Sequence, residues 1–296
     1  MTECCIAAVD RKGIPENPAC TAVVPWWSFT KVLIAAAALR LVEQGRLFLD
    51  APLPGHPFTL RQLLQHRAGL GDYGRLPQYQ ADVAGGKAPW SEQELHAHVP
   101  LTRFVFAPGT GWAYSNVGYL VVRSLIEREV EADLKDVLHD QVLAPLGLQS
   151  SRLAVTPEDM RFTAFKGGHG YHPGWAFHGF VIGPADEAAL ALHRLLTGDL
   201  LSPASRMALL DAHPLGGEIP GRPWLTTGYG VGIALGTMKT ADGTDPFRVI
   251  GHSAAGPGSV GAVYHAPGRR RTVAVFCSGV DEGVAENEAL RWLLTE

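Results

Sequence analysis

Pro25-Trp26-Trp27-Ser28-Phe29-Thr30-Lys31 runs directly into Val32-Leu33-Ile34-Ala35-Ala36-Ala37-Ala38-Leu39. The passage reads as the end of a strand feeding an apolar helix. Ser28 stands at the helix mouth, and Lys31, three residues on, shares its helical face. A serine hydroxyl is a poor nucleophile at neutral pH until a base takes its proton. A lysine one turn away can be that base, or can hold another base in its anionic form. The unpaired N–H groups of a helix start favour negative charge developing nearby. The pair alone is a weak signal, because S-x-x-K arises by chance roughly once in a chain of this length. An N-cap serine beside a solvated lysine accounts for it equally well, so the rest of the chain has to decide.

The chain has 296 residues and a net charge of −4, enough for one large domain or two interleaved ones. That charge gives no reason to expect a nucleic acid or an anionic membrane as partner. The longest apolar run stops at Arg40, well short of a membrane span. The first ten residues lack a basic start and a long apolar segment, so they do not read as a secretory signal, and a cytoplasmic location is expected. Cys4, Cys5, Cys20 and Cys277 contain no C-x-x-C pair. They are expected to be buried free thiols rather than metal ligands or a disulfide framework.

Residues 3–10 and 19–27 carry weak alternation and β-formers, which predicts a hairpin ahead of the Ser28 helix. That helix is expected to run to about Gln44, with Gly45 as its stop. Thr59 caps a short helix from Leu60 to His66. Residues 71–90 read as an irregular excursion, and Ser91-Glu92-Gln93-Glu94 as a capping box. A long helical pattern follows Tyr114-Ser115-Asn116. Further helices are expected over 135–143, 184–196 and 203–210, with 161–180 as loop. From Tyr229 short β-type runs alternate with Gly and Pro, and 286–294 is helical. Strands at both ends and helices between predict an α+β fold, an antiparallel sheet built from both termini and flanked by helices. The corresponding division is a sheet domain from 1–50 and 200–296, with 51–199 as an inserted, mainly helical subdomain.

Several motifs in order then carry a resemblance. They are Trp27-Ser28-Phe29-Thr30-Lys31, Leu60-Arg61-Gln62-Leu63-Leu64-Gln65-His66-Arg67-Ala68-Gly69-Leu70, Pro108-Gly109-Thr110, Tyr114-Ser115-Asn116-Val117-Gly118-Tyr119 and Leu143-Ala144-Pro145-Leu146-Gly147-Leu148. Together they resemble the serine β-lactamase-like hydrolases, a group of class C β-lactamases, D-alanyl-D-alanine carboxypeptidases, esterases and amidases. The resemblance extends from about Ser28 to the C-terminus and implies the β-lactamase/transpeptidase-like fold. It also implies a serine hydrolase working through an acyl-enzyme on a small ester or amide, with no cofactor and no metal.

By resemblance Ser28 is the nucleophile, with Lys31 and Tyr114 as the catalytic pair that takes its proton. A tyrosine has a reference pKa of about 10, so it needs a neighbouring cation to act as base near neutrality, and Lys31 is the obvious one. Asn116 binds substrate or Lys31. The bland alternatives are a core tyrosine and an N-cap asparagine. The family's K-T-G or H-x-G strand maps to His252-Ser253-Ala254, with Ala255 supplying the second oxyanion N–H beside that of Ser28. His252, Ser253 and Ala255 therefore join Asn116 as substrate-binding residues. Here His252 replaces the lysine that class C β-lactamases place near a substrate carboxylate, and Ala254 stands where glycine is usual, narrowing the groove. Both departures favour small uncharged esters and amides over a class C-like β-lactamase or a D-Ala carboxypeptidase. Trp26, Trp27, Tyr171, Trp175 and Phe177 are candidates for apolar walls. The oligomeric state is not set by the sequence.

Four rivals remain. Gly251-His252-Ser253-Ala254-Ala255 resembles the elbow G-x-S-x-G with its last glycine replaced, but no helix follows and no histidine comes later. Gly256-Pro257-Gly258-Ser259-Val260-Gly261 matches G-x-G-x-x-G without a βαβ unit around it. His169, His172 and His178 could gather round a metal, although no carboxylate or helical spacing supports this. A catalytically inactive binding module of the same fold is the last alternative. The joint presence of Ser28, Lys31, Tyr114 and Asn116 argues against it.

Overall fold

The computed structural model describes residues 3–16, 20–239 and 246–295. In chain order the elements are β1 (Cys4–Val9), β2 (Val23–Pro25), α1 (Thr30–Glu43), α2 (Leu60–Leu64), α3 (Pro77–Ala84), α4 (Glu92–His98), α5 (Asn116–Val130) and α6 (Leu134–Leu138). They continue with β3 (Arg152–Leu153), α7 (Pro157–Arg161), β4 (Val181–Pro184), α8 (Ala185–Thr197), α9 (Pro203–Leu210) and β5 (His213–Gly216). The last are β6 (Trp224–Tyr229), β7 (Ala234–Met238), β8 (Phe247–Gly256), β9 (Ser259–Ala266), β10 (Arg271–Ser278) and α10 (Glu282–Leu294).

Seven strands make one antiparallel sheet in the order β1-β10-β9-β8-β7-β6-β5. The two chain ends meet in it, since β1 lies against β10 from Cys4↔Cys277 to Val9↔Thr272. Side chains alternate across a strand, and here both faces are covered. Ala7, Val9, Val263, Ala274 and Phe276 join the core on the α8 side. Ala8, Ala262, Tyr264, Val273 and Val275 join the core under α10. Helix α1 lies in the larger of these cores, and every residue from Val32 to Leu39 is fully buried. A helix apolar all round is what an element surrounded by protein requires. Among the described residues no helix is long and apolar enough to cross a membrane.

Four expectations are corrected. The predicted hairpin does not form: β1 pairs with β10, while β2 pairs with β4 in a separate three-stranded sheet of order β2-β4-β3. The stretch read as irregular contains α3, which opens on Pro77 at its first turn. The helix read from Val117 begins one residue earlier, and its N-cap is Ser115, whose hydroxyl accepts the Gly118 N–H at 3.0 Å. Finally, Cys4 and Cys277, directly opposite each other on β1 and β10, form a disulfide, whereas Cys5 and Cys20 are free. Their separation of 273 residues hid the pairing, which only the closure of the sheet by both termini creates.

Candidate active site

Ser28 lies in a short 3-10 turn, Trp27–Phe29, that leads into α1. It caps nothing, since the N-cap of α1 is Phe29, without a side-chain bond. Trp27 sets its position. This residue holds φ at +41°, a conformation bulky side chains rarely adopt, and such strain persists only where the surroundings fix it. The Trp27 indole donates to Ser259 Oγ at 2.9 Å and packs on Phe180 with ring centroids 4.6 Å apart. It also lies on Gly256, where a Cβ would come within 2.4 Å of an indole carbon. The G-x-G-x-x-G segment is thus the tight β8–β9 turn under Trp27. Its Gly258, at φ +81°, packs on the Gly167-Gly168 backbone.

Behind Trp27, Trp26 Nε1 donates to the Gly183 carbonyl at 3.1 Å, and Thr30 Oγ1 accepts the Val181 N–H at 2.8 Å. The start of α1 is therefore held between β4 and the end of β8.

The second segment arrives from the helical side. The Ser115 N–H donates to His66 Nδ1 at 3.1 Å, Ser115 Oγ to the Gly71 carbonyl at 2.7 Å, and the Asn116 N–H to Asp72 Oδ1 at 2.7 Å. These bonds seat the Tyr114-Ser115-Asn116 turn against the 66–72 loop. The Tyr114 hydroxyl then donates to Ser28 Oγ at 2.8 Å. Lys31 Nζ lies 3.3 Å from Ser28 Oγ, 2.8 Å from Asn116 Oδ1 and 2.9 Å from His178 Nε2.

Burial decides the electrostatics. Lys31 is completely buried, and the loss of hydration pushes its pKa down to about 7, opposed by the Asp72 carboxylate. Burial pushes Tyr114 the other way, well above its ordinary value, and Asp72 and Glu282 add to the rise. Against the expectation that Lys31 lowers the tyrosine, the direction here is upward. Nζ sits 5.0 Å from the Tyr114 ring centroid and bonds to the serine instead. Near neutrality the lysine is the group that can be free of its proton.

Ser28, Tyr114, Asn116, His252, Ser253 and Ala255 all border one cavity of about 730 Å³. Strand β8 runs past β7, whose pairing ends at Ala234↔Gly251, so His252, Ser253 and Ala255 border the cleft. The side chains of His252 and Ser253 are nevertheless tied inward. His252 Nε2 and the Tyr229 hydroxyl are 2.8 Å apart, Nδ1 lies against its neighbour's carbonyl, and burial pushes the ring's pKa down to about 3. Ser253 Oγ receives Arg222 Nη2 at 2.7 Å and donates to Glu286 Oε1 at 2.7 Å.

Glu286, fully buried, also accepts from Tyr264 at 2.8 Å, Trp224 Nε1 at 3.0 Å and Arg222 Nε at 2.7 Å. Arg222 Nη1 donates to Glu282 at 2.9 Å. The reading of Ser253 as an elbow nucleophile is therefore unsupported, since among the described residues no histidine bonds to its hydroxyl and it sits mid-strand.

Other expectations are corrected here. The Ala254 side chain is buried in the core, away from the cavity, so it does not narrow the groove. Trp26, Trp27, Tyr171, Trp175 and Phe177 are buried as well; the apolar lining is Leu70, Val105, Trp112, Leu215, Ile219, Trp224 and Tyr229. The three loop histidines part company. His169 Nε2 bonds to the Thr163 carbonyl, His172 Nδ1 accepts the Gly174 N–H, and His178 goes to Lys31. Among the described residues no three His, Cys, Asp or Glu side chains gather as a metal site. Sequence reading missed Arg222, Glu282 and Glu286, because Arg222, in the loop before β6, lies 60 and 64 residues from the two glutamates on α10.

Residues 9–296 match the Beta-lactamase family model, and the chain belongs to that family. Among curated relatives, a D-aminopeptidase of Cereibacter sphaeroides is 28% identical over 77% of this chain and 42% of its own length. The esterase EstB of Burkholderia gladioli is 33% identical over 46% of this chain and 39% of its own. The chain spans less than half the length of these relatives. Among solved structures, a D-amino acid amidase from Ochrobactrum anthropi SV3 superposes with a TM-score of 0.78 at 20% identity, covering 98% of this chain and 94% of that one, a likeness of fold.

Proposed function

We propose that this chain is a serine hydrolase that cleaves small ester or amide substrates through an acyl-enzyme on Ser28. The observation that carries the reading is the pair of contacts on Ser28 Oγ, from Lys31 Nζ at 3.3 Å and Tyr114 at 2.8 Å, with the lysine buried. Neutral Lys31 takes the serine proton as Oγ attacks the carbonyl. The N–H groups of Ser28 and Ala255 face the oxyanion. Tyr114, whose hydroxyl already donates to Oγ, delivers a proton to the leaving oxygen or nitrogen. Water then attacks the acyl group, giving its proton to the deprotonated Tyr114, while protonated Lys31 returns a proton to Oγ as it leaves.

Substrates bearing a carboxylate on the sheet wall of the cleft are disfavoured. The cation there, Arg222, already faces two carboxylates, Glu286 and Glu282, and His252 is neutral. This wall supports uncharged esters and amides over β-lactams and D-Ala peptides. The D-aminopeptidase and esterase relatives agree with that preference. An inactive binding module does not need a lysine buried without a carboxylate bonded to it, which costs stability.

A serine-directed phosphonate tests the reading. Peptide mapping of the adduct is expected to find it on Ser28, to lose it in Ser28→Ala and to keep it in Ser253→Ala. Labelling that survives Ser28→Ala would overturn the assignment.

A further inference from the structure

Among the described residues, fully buried Lys31 has three hydrogen-bond partners, and one of them belongs to no motif. His178 sits in the turn before β4, and three bonds fix that turn. Arg123 Nη1 donates to the Phe177 carbonyl at 3.1 Å, the Phe177 N–H donates to the Tyr73 hydroxyl at 3.2 Å, and Thr30 Oγ1 accepts the Val181 N–H at 2.8 Å. The last of these bonds ties the turn to the residue next to Lys31. His178 itself is buried, with Nε2 at 2.9 Å from Nζ and Nδ1 at 3.5 Å from the Tyr73 hydroxyl.

An amine that acts as base has two N–H bonds and one lone pair. The lone pair must face the serine hydroxyl, so both N–H bonds need acceptors elsewhere. Asn116 Oδ1 takes one. If no second acceptor were present, the remaining N–H would turn to Ser28 Oγ, and the amine would donate to the atom it has to deprotonate. We propose that His178 is a positioning residue for Lys31, its Nε2 accepting the second N–H so that the amine's lone pair is aimed at Ser28 Oγ. This proposal rests on the reading of Ser28 and Lys31 as nucleophile and base.

The role requires a neutral ring with its proton on Nδ1, directed at Tyr73. Burial and the nearby charges of Lys31 and Arg123 hold His178 well below its ordinary pKa, which keeps the Nε2 lone pair available. The other groups facing Lys31 are Asp72 and His66 from the 66–72 loop, Tyr114 and Tyr119 beside it, and His252 from β8. Of these Asp72 raises the lysine's pKa, and none supplies a second acceptor to Nζ among the described residues.

The test compares His178→Phe, which fills the ring volume without an acceptor, with His178→Gln, which restores one. The probe is a short-chain p-nitrophenyl ester followed across pH, alongside phosphonate labelling. A protonated lysine without its acceptor is destabilised, so the acidic limb of kcat/KM in His178→Phe should move down by roughly one pH unit. Its plateau kcat should fall about tenfold or more with KM nearly unchanged, and His178→Gln should recover most of the loss. A ring needed only for packing predicts a Phe variant with the wild-type limb and kcat, and that result would overturn the proposal. A Gln variant as impaired as the Phe variant would overturn it too. If the Phe variant fails to fold, His178→Leu takes its place with the same two outcomes. Ser28→Ala in the same series separates the two levels. An adduct persisting there defeats the reading of the site, whereas its loss with an unaffected His178→Phe defeats only the role of His178.

Discussion

On the helical wall of the cleft, Lys31, Tyr114, Asn116 and His178 arrange their hydrogen bonds on or around a single serine oxygen. On the sheet wall, Arg222, Ser253, Tyr264 and Glu286 bond to one another. Both groups are polar, largely buried and at the same cavity. The first leaves one relation open, a lysine amine against a hydroxyl it can deprotonate. The second closes on itself, with a buried carboxylate that accepts from four side chains. A buried polar network that satisfies all its members stabilises and fixes a wall, whereas one that leaves a reactive pair is available for chemistry.

On this contrast, substitutions on the helical wall cost the most activity. Lys31→Met keeps the volume and removes the base. Acylation should fall by about 10³–10⁴-fold, toward the upper range of general-base catalysis. Single-turnover kinetics with a p-nitrophenyl ester measures this, and a loss below tenfold would move the base elsewhere. Tyr114→Phe removes only a hydroxyl that donates to Ser28 Oγ at 2.8 Å, and it should cost about 10²-fold in acylation. An unchanged rate would make Tyr114 a core tyrosine.

The sheet wall should respond in selectivity instead. Wild-type enzyme is expected to prefer a short-chain p-nitrophenyl ester over nitrocefin, which carries a carboxylate. Glu282→Gln removes one of the two carboxylates facing Arg222, and should narrow that preference by roughly two- to fivefold, the scale of a partly exposed ion pair. A preference that widens would mean that Glu282 does not oppose the substrate's charge.

The smallest effect is on stability. The folded-state pKa of Lys31 is about 7, below the unfolded lysine value of 10.5, so between those values the unfolded chain binds more protons. Stability therefore rises with pH across that window, and the penalty is fully present below about pH 7. Lys31→Met should melt higher than wild type at pH 6, with the difference shrinking by pH 9. A constant difference would place the lysine's titration outside the window.

How much of this was legible in the sequence follows from how locally each feature is encoded. The Ser28–Lys31 pair lies within one helical turn, and the Tyr114-Ser115-Asn116 turn is announced by its own short motif. The sheet's closure was readable because strands flank a helical middle. Its pairing was not: β1 has a plausible partner nearby in the chain, and only the assembled sheet shows that it prefers β10, with the Cys4–Cys277 bond as a consequence. Trp27's strained φ has no sequence signature, because the strain is held by Gly256 and Ser259 more than 200 residues away. His178 was noticed as a histidine in an aromatic loop, where two neighbouring histidines suggested metal. Its true partner, Lys31, is 147 residues distant. Ala254 reads in the sequence as a methyl crowding the groove, but the pleat of β8 turns it into the core.

The claim at the centre is that a neutral Lys31 activates Ser28. The most direct test is the rate of phosphonate labelling of Ser28, followed by intact mass across pH 5–9 in wild type and Lys31→Met. The account predicts a wild-type rate that rises through an apparent pKa of about 7 and levels above it, and a Lys31→Met rate lower by orders of magnitude without that inflection. A wild-type rate flat through neutrality, or the same inflection persisting in Lys31→Met, would contradict it.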